Sequence, residues 1–314
     1  MDQDSLFAAD FNEAGLEIEF DDEALTRVTL PHCVTALSWQ NWNPVTWEKV
    51  CLYRRHFALP REFNGHRVFI HFDHVMAAAT PVVNGHKLPQ HLGGFLPFKY
   101  EVTGLLKKNG NVLAVAVDSR WMNAPPEGSP KGPSSIDYML PGGITGAVSL
   151  RAVPQIFIGD VFAKPVNVLD SRRRLELTCS IDAGVVPSGA LRLETSLTDN
   201  PRVIASSATD FKLANTGESK VTLSLTGLQG VALWDVSAPK LYNVEVRLFL
   251  NGQLLHEYRT RIGFRETRFE LNGFFLNGAR LQLFGLNRHE LYPYMGRAAP
   301  IGSCAKMPRF YATT

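Results

Sequence analysis

The sequence YNVEVRLFLNGQLLHEYRTRI, residues 242–262, shows the decisive folding pattern of this chain in its simplest form. Its first half alternates apolar and polar side chains, which is the period of a strand with one buried face. The apolar positions are Val244, Val246, Leu248 and Leu250. Asn251-Gly252 then provides residues suited to a tight hairpin turn. The stretch therefore predicts two antiparallel strands, 242–250 and 254–262.

Runs of the same kind precede this hairpin. Residues 174–181 alternate cleanly, with apolar side chains at Leu175, Leu177, Cys179 and Ile181. Further strands are predicted at 161–168, 191–198 and 221–225. Six or seven short strands in about 100 residues are typical of an immunoglobulin-like sandwich. The Cys…Trp…Cys core of antibody domains is missing from this stretch of sequence.

The first half of the chain carries its own strand signals. Short aromatic or β-branched runs occupy 51–59, 67–72 and 112–117, and Asn-Gly or Gly-Gly turn signals separate them. A stretch rich in proline and glycine follows at 123–143. Prolines at this density exclude both helix and central strand, so a long loop is predicted there. A loop of this length in a compact domain is usually functional or disordered.

Composition and charge limit the classes of function. The chain has 314 residues, 45% of them hydrophobic, and a formal net charge of +2. That charge gives no electrostatic case for binding nucleic acid or an anionic membrane. No secretory leader or membrane span is recognised, and the four cysteines are widely spaced. Reduced, mostly buried thiols and a cytoplasmic location are expected.

An ordered series of short motifs extends this interpretation. The most specific is Leu283-Phe284-Gly285-Leu286-Asn287-Arg288-His289-Glu290, preceded by Leu276-Asn277-Gly278. Other pieces are Tyr53-Arg54-Arg55-His56-Phe57, Phe72-Asp73-His74-Val75, Val83-Asn84-Gly85-His86, Gly142-Gly143-Ile144 and Ile262-Gly263-Phe264-Arg265. In order and spacing they resemble the front half of family 2 glycoside hydrolases, the β-galactosidase/β-glucuronidase type.

The resemblance implies an all-β fold in three parts. Residues 1–158 would form a jelly-roll, galactose-binding-like sandwich, and 159–263 an immunoglobulin-like sandwich. Residues 264–314 would begin a (β/α)₈ TIM barrel and stop after its first strand, predicted at 281–286. A strand without barrel neighbours leaves apolar surface exposed, so limited proteolysis is expected to remove the region after about residue 265.

The resemblance also implies sugar-contacting residues. Asp137 stands where the family has an Asp that reaches the sugar, and a carboxylate accepts hydrogen bonds from hydroxyls well. Arg288 and His289 follow the first barrel strand, at the end where barrel chemistry is found. Two departures are present. Thr145-Gly146 follows Gly142-Gly143-Ile144 where an Arg is common, and Tyr292 replaces a His.

No catalytic residue, metal ligand or cofactor site is assigned within the chain. Retaining glycosidases use two carboxylates about 5 Å apart. The family carries them as glutamates on later barrel strands, so the isolated chain is predicted to be inactive. Residues 301–314 are compatible with a one-base frameshift of an expected barrel helix, given a suitable choice of codons. The DNA past codon 314 would test that interpretation.

Three functions stay open at this point. The first is a truncated β-glycosidase of the β-galactosidase type, acting on a β-glycoside. The second is a non-catalytic carbohydrate-binding protein of two sandwiches, for which Trp39, Trp42 and Trp47 would be candidate stacking residues. The third is a structural or accessory subunit, in which a separate complementing chain supplies the barrel. The possible protein partners are therefore such a barrel chain or a second copy in a homo-oligomer. No nucleic acid or membrane partner is expected.

Overall fold

The computed structural model describes residues 1–38, 43–120, 141–285, 287, 289 and 291–298. In this part of the chain nearly all regular structure is strand, which confirms the predicted all-β fold. The chain divides into two compact units. The first contains Met1–Ala152 together with Asn287–Thr314, and the second contains Val153–Leu286.

The first unit is a sandwich of two antiparallel sheets. Its described strands are β1 (Ser5–Ala8), β2 (Thr26–Val28), β3 (Val50–Phe57), β4 (Arg67–Phe72), β5 (Ala78–Val83), β6 (His86–Lys87), β7 (His91–Leu92), β8 (Phe98–Glu101), β9 (Asn111–Asp118) and β10 (Val148–Val153). Short 3₁₀ helices span Glu13–Leu16, Pro44–Thr46, Arg61–Phe63 and Thr103–Leu105. One sheet has the order β2-β1-β3-β9-β5-β6, with β7 also paired to β5, and the other has the order β10-β4-β8.

The core of the first unit lies between these sheets. Alternate residues of β4, Val68, Ile70 and Phe72, are buried there with Val115 and Val117 of β9. The predicted strands 67–72 and 112–117 are thus confirmed, β9 being one residue longer at each end. Burial of alternate side chains is what a period-2 sequence can achieve when only one face meets a core.

The strand β5 was not predicted, because prolines are rarely found in central strands. It nevertheless pairs with β9 along its whole length, with Pro81 opposite Val115. On its other side β5 meets only the two-residue strands β6 and β7. The Pro81 carbonyl still accepts a hydrogen bond from the Leu88 amide at 2.9 Å. The proline is tolerated because the ladder on that side is short and interrupted.

The second unit contains the immunoglobulin-like sandwich. Its strands are β11 (Ile156–Val166), β12 (Arg174–Ala183), β13 (Leu191–Asp199), β14 (Arg202–Phe211), β15 (Gly217–Leu225), β16 (Tyr242–Leu250) and β17 (Gln253–Ile262). They form antiparallel sheets of order β11-β12-β15 and β14-β13-β16-β17. The alternating apolar residues predicted on β12 and β16 are buried between the sheets.

A third, smaller sheet follows in the second unit. It contains β18 (Thr267–Glu270), β19 (Gly273–Leu276) and β20 (Ala279–Leu281), in the order β18-β19-β20. The strand predicted at 281–286 is wrong for 282–285, which have no regular structure. Strands need hydrogen-bonding neighbours, and the described chain provides none for these residues. The expected exposed apolar surface is confirmed, since Leu283 and Phe284 are 64% and 86% exposed.

The side chain of Asn277 fastens this small sheet to the rest of the second unit. Its amide nitrogen donates to the Trp234 carbonyl at 2.9 Å, and its oxygen accepts from the Glu266 amide at 3.1 Å. Leu276 beside it is buried. We therefore expect a protease specific for large apolar residues to cut first at residues 282–285, which follow the anchored small sheet, and not near residue 265.

Asn277→Ala should remove both hydrogen bonds, so that the protease also cuts early within residues 267–281. Mass spectrometry of a limited digest would locate them. Asn215→Ala, at an exposed loop position, is the matched control and should leave the cutting order unchanged. Early cleavage near 265 in the unmodified chain would contradict this expectation.

The two compact units meet in the chain near residue 153. Contacts divide the chain at 152/153, whereas the sequence placed the division at 158/159. β11 begins at Ile156 and pairs with β12 from its first residue, which draws the intervening residues into the second unit. Residues 264–286 also join that unit, and 287 onwards joins the first.

Two expectations about the chain as a whole can be compared with the structure. Cys33, Cys51 and Cys179 are buried free thiols, as predicted, and Cys304 lies outside the described residues. Within the described part of the chain, no helix is long and apolar enough to cross a membrane. The cytoplasmic location stays a prediction. The frameshift proposed for 301–314 concerns residues outside the described ranges.

Candidate functional site

The predicted sugar-contacting residues are only partly described. Asp137 and Arg288 lie outside the described residues, while His289 is described and exposed on the surface. Their roles stay predictions. The segments beside them in sequence, 141–146 and 291–298, belong to the first unit and are described, so the local surroundings can be built from the residues upward.

The Gly142-Gly143-Ile144 segment is held by backbone hydrogen bonds on two sides. Gly143 exchanges a pair of bonds with Met76 at 3.0 and 3.1 Å, and the Ile144 carbonyl accepts from the His32 amide at 2.8 Å. Gly143 has a φ of +135°, and a Cβ added there would lie 2.3 Å from the His32 carbonyl oxygen. The close backbone approach explains why glycine is found at this position.

Thr145-Gly146, which departs from the family pattern, follows this glycine segment directly and contacts His74. Thr145 is buried, and its hydroxyl lies 3.0 Å from Nδ1 of His74. A Cβ on Gly146 would come within 2.7 Å of the His74 backbone nitrogen. Burial is the main cause that lowers the pKa of His74, with the Arg297 cation adding to it and Asp73 opposing it. His74 is therefore a neutral hydrogen-bonding group at neutral pH.

Residues 291–298 form a short loop that is hydrogen-bonded to the rest of the first unit. Tyr292 and Gly296 exchange two backbone hydrogen bonds of 2.9 Å, and the Tyr294 amide donates to the Leu37 carbonyl at 2.7 Å. Arg297 lies over the ring of Phe95, 4.7 Å from its centroid. The loop thus brings a cation and aromatic surface to the unit that carries His74 and Thr145, and none of these was singled out from the sequence as a sugar contact.

His32 links this site to the core of the unit. Its Nδ1 lies 2.8 Å from the Tyr53 hydroxyl, and its ring meets Phe7 edge-on at 4.8 Å. Burial lowers the pKa of His32 and raises the pKa of Tyr53 well above its ordinary value. Both side chains are therefore held uncharged at neutral pH.

The free energy of unfolding should depend on pH through His32. Its folded-state pKa is below the ordinary value of 6.5, so the unfolded chain binds the proton more tightly. The contribution to stability is then complete above pH 6.5 and is lost as pH falls through 6.5 towards the folded-state pKa. Urea unfolding at a series of values from about pH 5 to pH 8 measures it.

His32→Gln should flatten that profile on the acid side, because the titrating ring is gone. His86→Gln, at an exposed hairpin position, is the matched control and should keep the profile of the unmodified chain. An identical profile for His32→Gln and the unmodified chain would show that His32 does not carry the effect.

Glu245 and Glu257 form a close carboxyl pair in the second unit. The adjoining Glu257 carboxylate is the main cause that raises the pKa of Glu245, followed by burial. A retaining glycosidase needs its two carboxyl groups about 5 Å apart with the scissile bond between them. The Arg259 guanidinium lies 2.6 Å from Glu257 and 3.9 Å from Glu245, so a cation bridges this pair and the two carboxyl groups do not flank an open space for a glycosidic bond.

Two further features bear on the predicted alternatives. Among the described residues, no group of three or more His, Cys, Asp or Glu side chains is arranged to hold a metal ion. Trp47, one of the three candidate stacking residues of a carbohydrate-binding protein, is buried in the core of the first unit. Trp39 and Trp42 lie outside the described residues.

Both units match known family models. Residues 35–157 match the galactose-binding domain-like model of glycosyl hydrolase 2, and 156–265 match the model of glycosyl hydrolases family 2. The chain is 32% identical over 296 residues to a β-galactosidase of Thermoanaerobacter pseudethanolicus, covering 93% of this chain and 38% of that protein. A β-galactosidase of Thermoanaerobacterium thermosulfurigenes is 32% identical over 302 residues, covering 94% and 40%.

Solved structures agree with the fold. The chain superimposes on a β-glucuronidase of Bacteroides uniformis with a TM-score of 0.85 at 24% identity, covering 96% of this chain and 36% of the other. A glycosyl hydrolase family 2 member from Bacteroides cellulosilyticus gives a TM-score of 0.76 at 23% identity, covering 91% and 39%. The chain therefore spans about two fifths of the length of the proteins that it matches.

Proposed function

Because this chain belongs to family 2 of the glycosyl hydrolases, we propose that it serves in the hydrolysis of β-galactosides. The observation that carries this proposal is the 32% identity to the Thermoanaerobacter pseudethanolicus β-galactosidase, which extends over 93% of this chain. In this proposal the two sandwich units form the sugar-facing support of the enzyme. A catalytic barrel, on the same or another polypeptide, supplies the groups that break the bond.

The division of labour follows from what bond cleavage needs. A retaining glycosidase requires an acid/base carboxyl and a nucleophilic carboxylate on opposite sides of the glycosidic bond. The pair Glu245–Glu257 is bridged by the Arg259 guanidinium and does not flank an open space for that bond. We therefore expect a retaining mechanism that uses two glutamates of the barrel, and no hydrolysis by the chain alone.

The first unit would contribute contacts to the sugar. Asp137, Arg288 and His289 remain the proposed contacts, with Asp137 accepting hydrogen bonds from hydroxyls. The neutral imidazole of His74, fixed by Thr145, and the Arg297 guanidinium over Phe95 are further polar groups in this unit. Their role would be to orient the sugar and not to transfer protons to the leaving group.

The test is an assay of the purified chain with chromogenic β-galactoside and β-glucuronide substrates. We expect no release of aglycone from either by the chain alone. Addition of a polypeptide that carries the remaining barrel of the Thermoanaerobacter pseudethanolicus relative should give galactoside hydrolysis, with that polypeptide alone as the control. Faster cleavage of the glucuronide would reassign the substrate.

Two results would refute the proposal. One is galactoside hydrolysis by the chain alone that co-purifies with it through every step. The other is a failure of the chain to bind or activate the barrel polypeptide under conditions in which both are folded. Binding of galactose-containing glycans by the chain without any catalytic partner would favour the carbohydrate-binding alternative.

A further inference from the structure

The outer face of the four-stranded sheet in the second unit carries an ordered set of polar side chains. Val244, Val246 and Leu248 of β16 point into the core, so the residues between them point away from it. The strand register places Thr198, Asn243 and Arg261 in one row across β13, β16 and β17. The next row contains Ser196, Glu245 and Arg259, and the third contains Glu194, Arg247 and Glu257.

The third row is neutralised internally. Arg247 contacts Glu194 at 3.4 Å, and Arg259 reaches across from the second row to Glu257 at 2.6 Å. Glu245 lies 3.8 Å from Arg247 and 3.9 Å from Arg259. Both arginines of these two rows are therefore engaged by carboxylates of the same face.

The first row is different. Arg261 is exposed, and it forms no ion pair with any residue that the structure describes. The same row carries Asn243 and Thr198, and the turn after β13 adds Asn200. This end of the face therefore presents an uncompensated cation among amide and hydroxyl groups that can both donate and accept hydrogen bonds.

A cleft of about 660 Å³ opens at this end of the face. It is lined by Thr198, Asn200, Asn243, Val244, Glu245, Arg259, Thr260 and Arg261. Small-molecule sites typically measure about 300–1,000 Å³. Strands lie about 4.8 Å apart, so the three side chains of the first row span about 10 Å. The cleft is long enough for more than one sugar ring.

We propose that this cleft binds an anionic saccharide, with the Arg261 guanidinium pairing with a carboxylate or sulfate group of the sugar. A guanidinium forms two parallel hydrogen bonds to a planar carboxylate or to two sulfate oxygens. The amides of Asn200 and Asn243 and the hydroxyl of Thr198 then match the hydroxyl groups of the rings. This site would bind polysaccharide whether or not the proposed hydrolysis is correct.

Calorimetric titration of the full chain tests the proposal. The probes are digalacturonate, a sulfated galactose disaccharide, neutral galactobiose, and sodium sulfate at the same ionic strength. We expect at least one anionic disaccharide to bind with a Kd of about 1 mM or lower. The one that binds identifies the anionic group, and galactobiose should bind at least about tenfold more weakly.

Variants place the binding in the cleft. Arg261→Gln should weaken binding of the anionic disaccharide about tenfold or more, and Arg261→Lys should weaken it less because charge is kept and the paired geometry lost. Asn243→Ala should weaken binding without changing the preference for an anion. Arg192→Gln, on the same face but paired with Glu194 and Asp210, is the matched control and should bind as the unmodified chain does.

Melting temperatures confirm that each variant is folded, which is expected because Arg261 is exposed. Three results would overturn the proposal. In the first, neither anionic disaccharide binds. In the second, galactobiose binds as tightly as the anionic disaccharide. In the third, Arg261→Gln binds the anionic disaccharide as tightly as the unmodified chain does. Binding of free sulfate without binding of any saccharide would overturn it as well.

Discussion

Arg54→Met is expected to lower the free energy of unfolding of the first unit by about 3–5 kcal/mol, since it breaks a buried ion pair from one side. The Arg54 side chain is fully buried, with Nε 2.6 Å from the Asp22 carboxylate. Its Nη1 donates to the carbonyls of Gly15 at 2.6 Å and Glu17 at 2.9 Å. One side chain thus fastens the segment 12–22 across the outer face of β3.

Methionine fills similar volume but leaves the Gly15 and Glu17 carbonyls without this donor and Asp22 with only His56 as partner, and each buried unsatisfied group is costly. Urea unfolding followed by tryptophan fluorescence measures the loss, because Trp47 is buried in the core of the first unit. Amide hydrogen exchange should show segment 12–22 opening first.

Arg27→Met is the matched control. Arg27 is 75% exposed and contacts Asp4 at 3.5 Å, and an exposed pair of this kind contributes only about 0–1 kcal/mol. If Arg54→Met and Arg27→Met lost the same stability, the buried guanidinium would not have the role assigned to it.

Gly143→Ala should be the second severe change, destabilising the first unit by about 2–5 kcal/mol. The φ of +135° is unfavourable for alanine, and the new Cβ would meet the His32 carbonyl oxygen at 2.3 Å and the Cys33 Cα at 3.1 Å. Both obstacles are backbone atoms that cannot rotate away. Urea unfolding gives the magnitude, and faster exchange of the Met76 and Gly143 amides would locate the damage.

Gly104→Ala provides the comparison. Gly104 has no positive φ, and no atom lies within 4 Å of an added Cβ, so stability should stay the same or rise by up to about 1 kcal/mol. If Gly143→Ala were as stable as the unmodified chain, the segments around residues 32 and 143 could move apart without loss of stability. That result would contradict the close approach described above.

Strands with clean alternation and strong turn signals were predictable. β4 and β16 begin and end where the sequence places them, and Asn251 adopts the left-handed φ of 49° that its hairpin turn requires. In these segments the side-chain period, the β-branched content and the turn residues all favour the same structure. The order of the two sandwiches followed from the family motifs.

Strands that depend on their neighbours were not predictable. β14 has the sequence RVIASSATDF, whose small and polar side chains show little alternation, and it is placed by pairing with β13. β5 is placed by β9 despite Pro81. Leu283 and Phe284 show the opposite case, because these apolar residues stay irregular without a partner strand.

The candidate site was predictable only through resemblance. Asp73-His74 and Thr145-Gly146 are separated by about seventy residues, and no local signal in the sequence pairs them. The hydrogen bond between His74 and Thr145 arises from the approach of two loops, which a single sequence does not encode in any periodic pattern. The family motifs include both His74 and Gly142-Gly143, but nothing in them pairs the histidine with Thr145.

The discontinuous make-up of the first unit affects how the chain can fold during synthesis. Tyr294 and Gly296, which contact Leu37 and Cys33, are translated only after the whole of Val153–Leu286. At about 5–20 residues per second a ribosome needs roughly 7–27 s to make that intervening stretch. During this interval the nascent first unit exposes the surface that residues 291–298 will cover. Chaperones that shield nascent apolar surface therefore have a defined period in which to act on this chain.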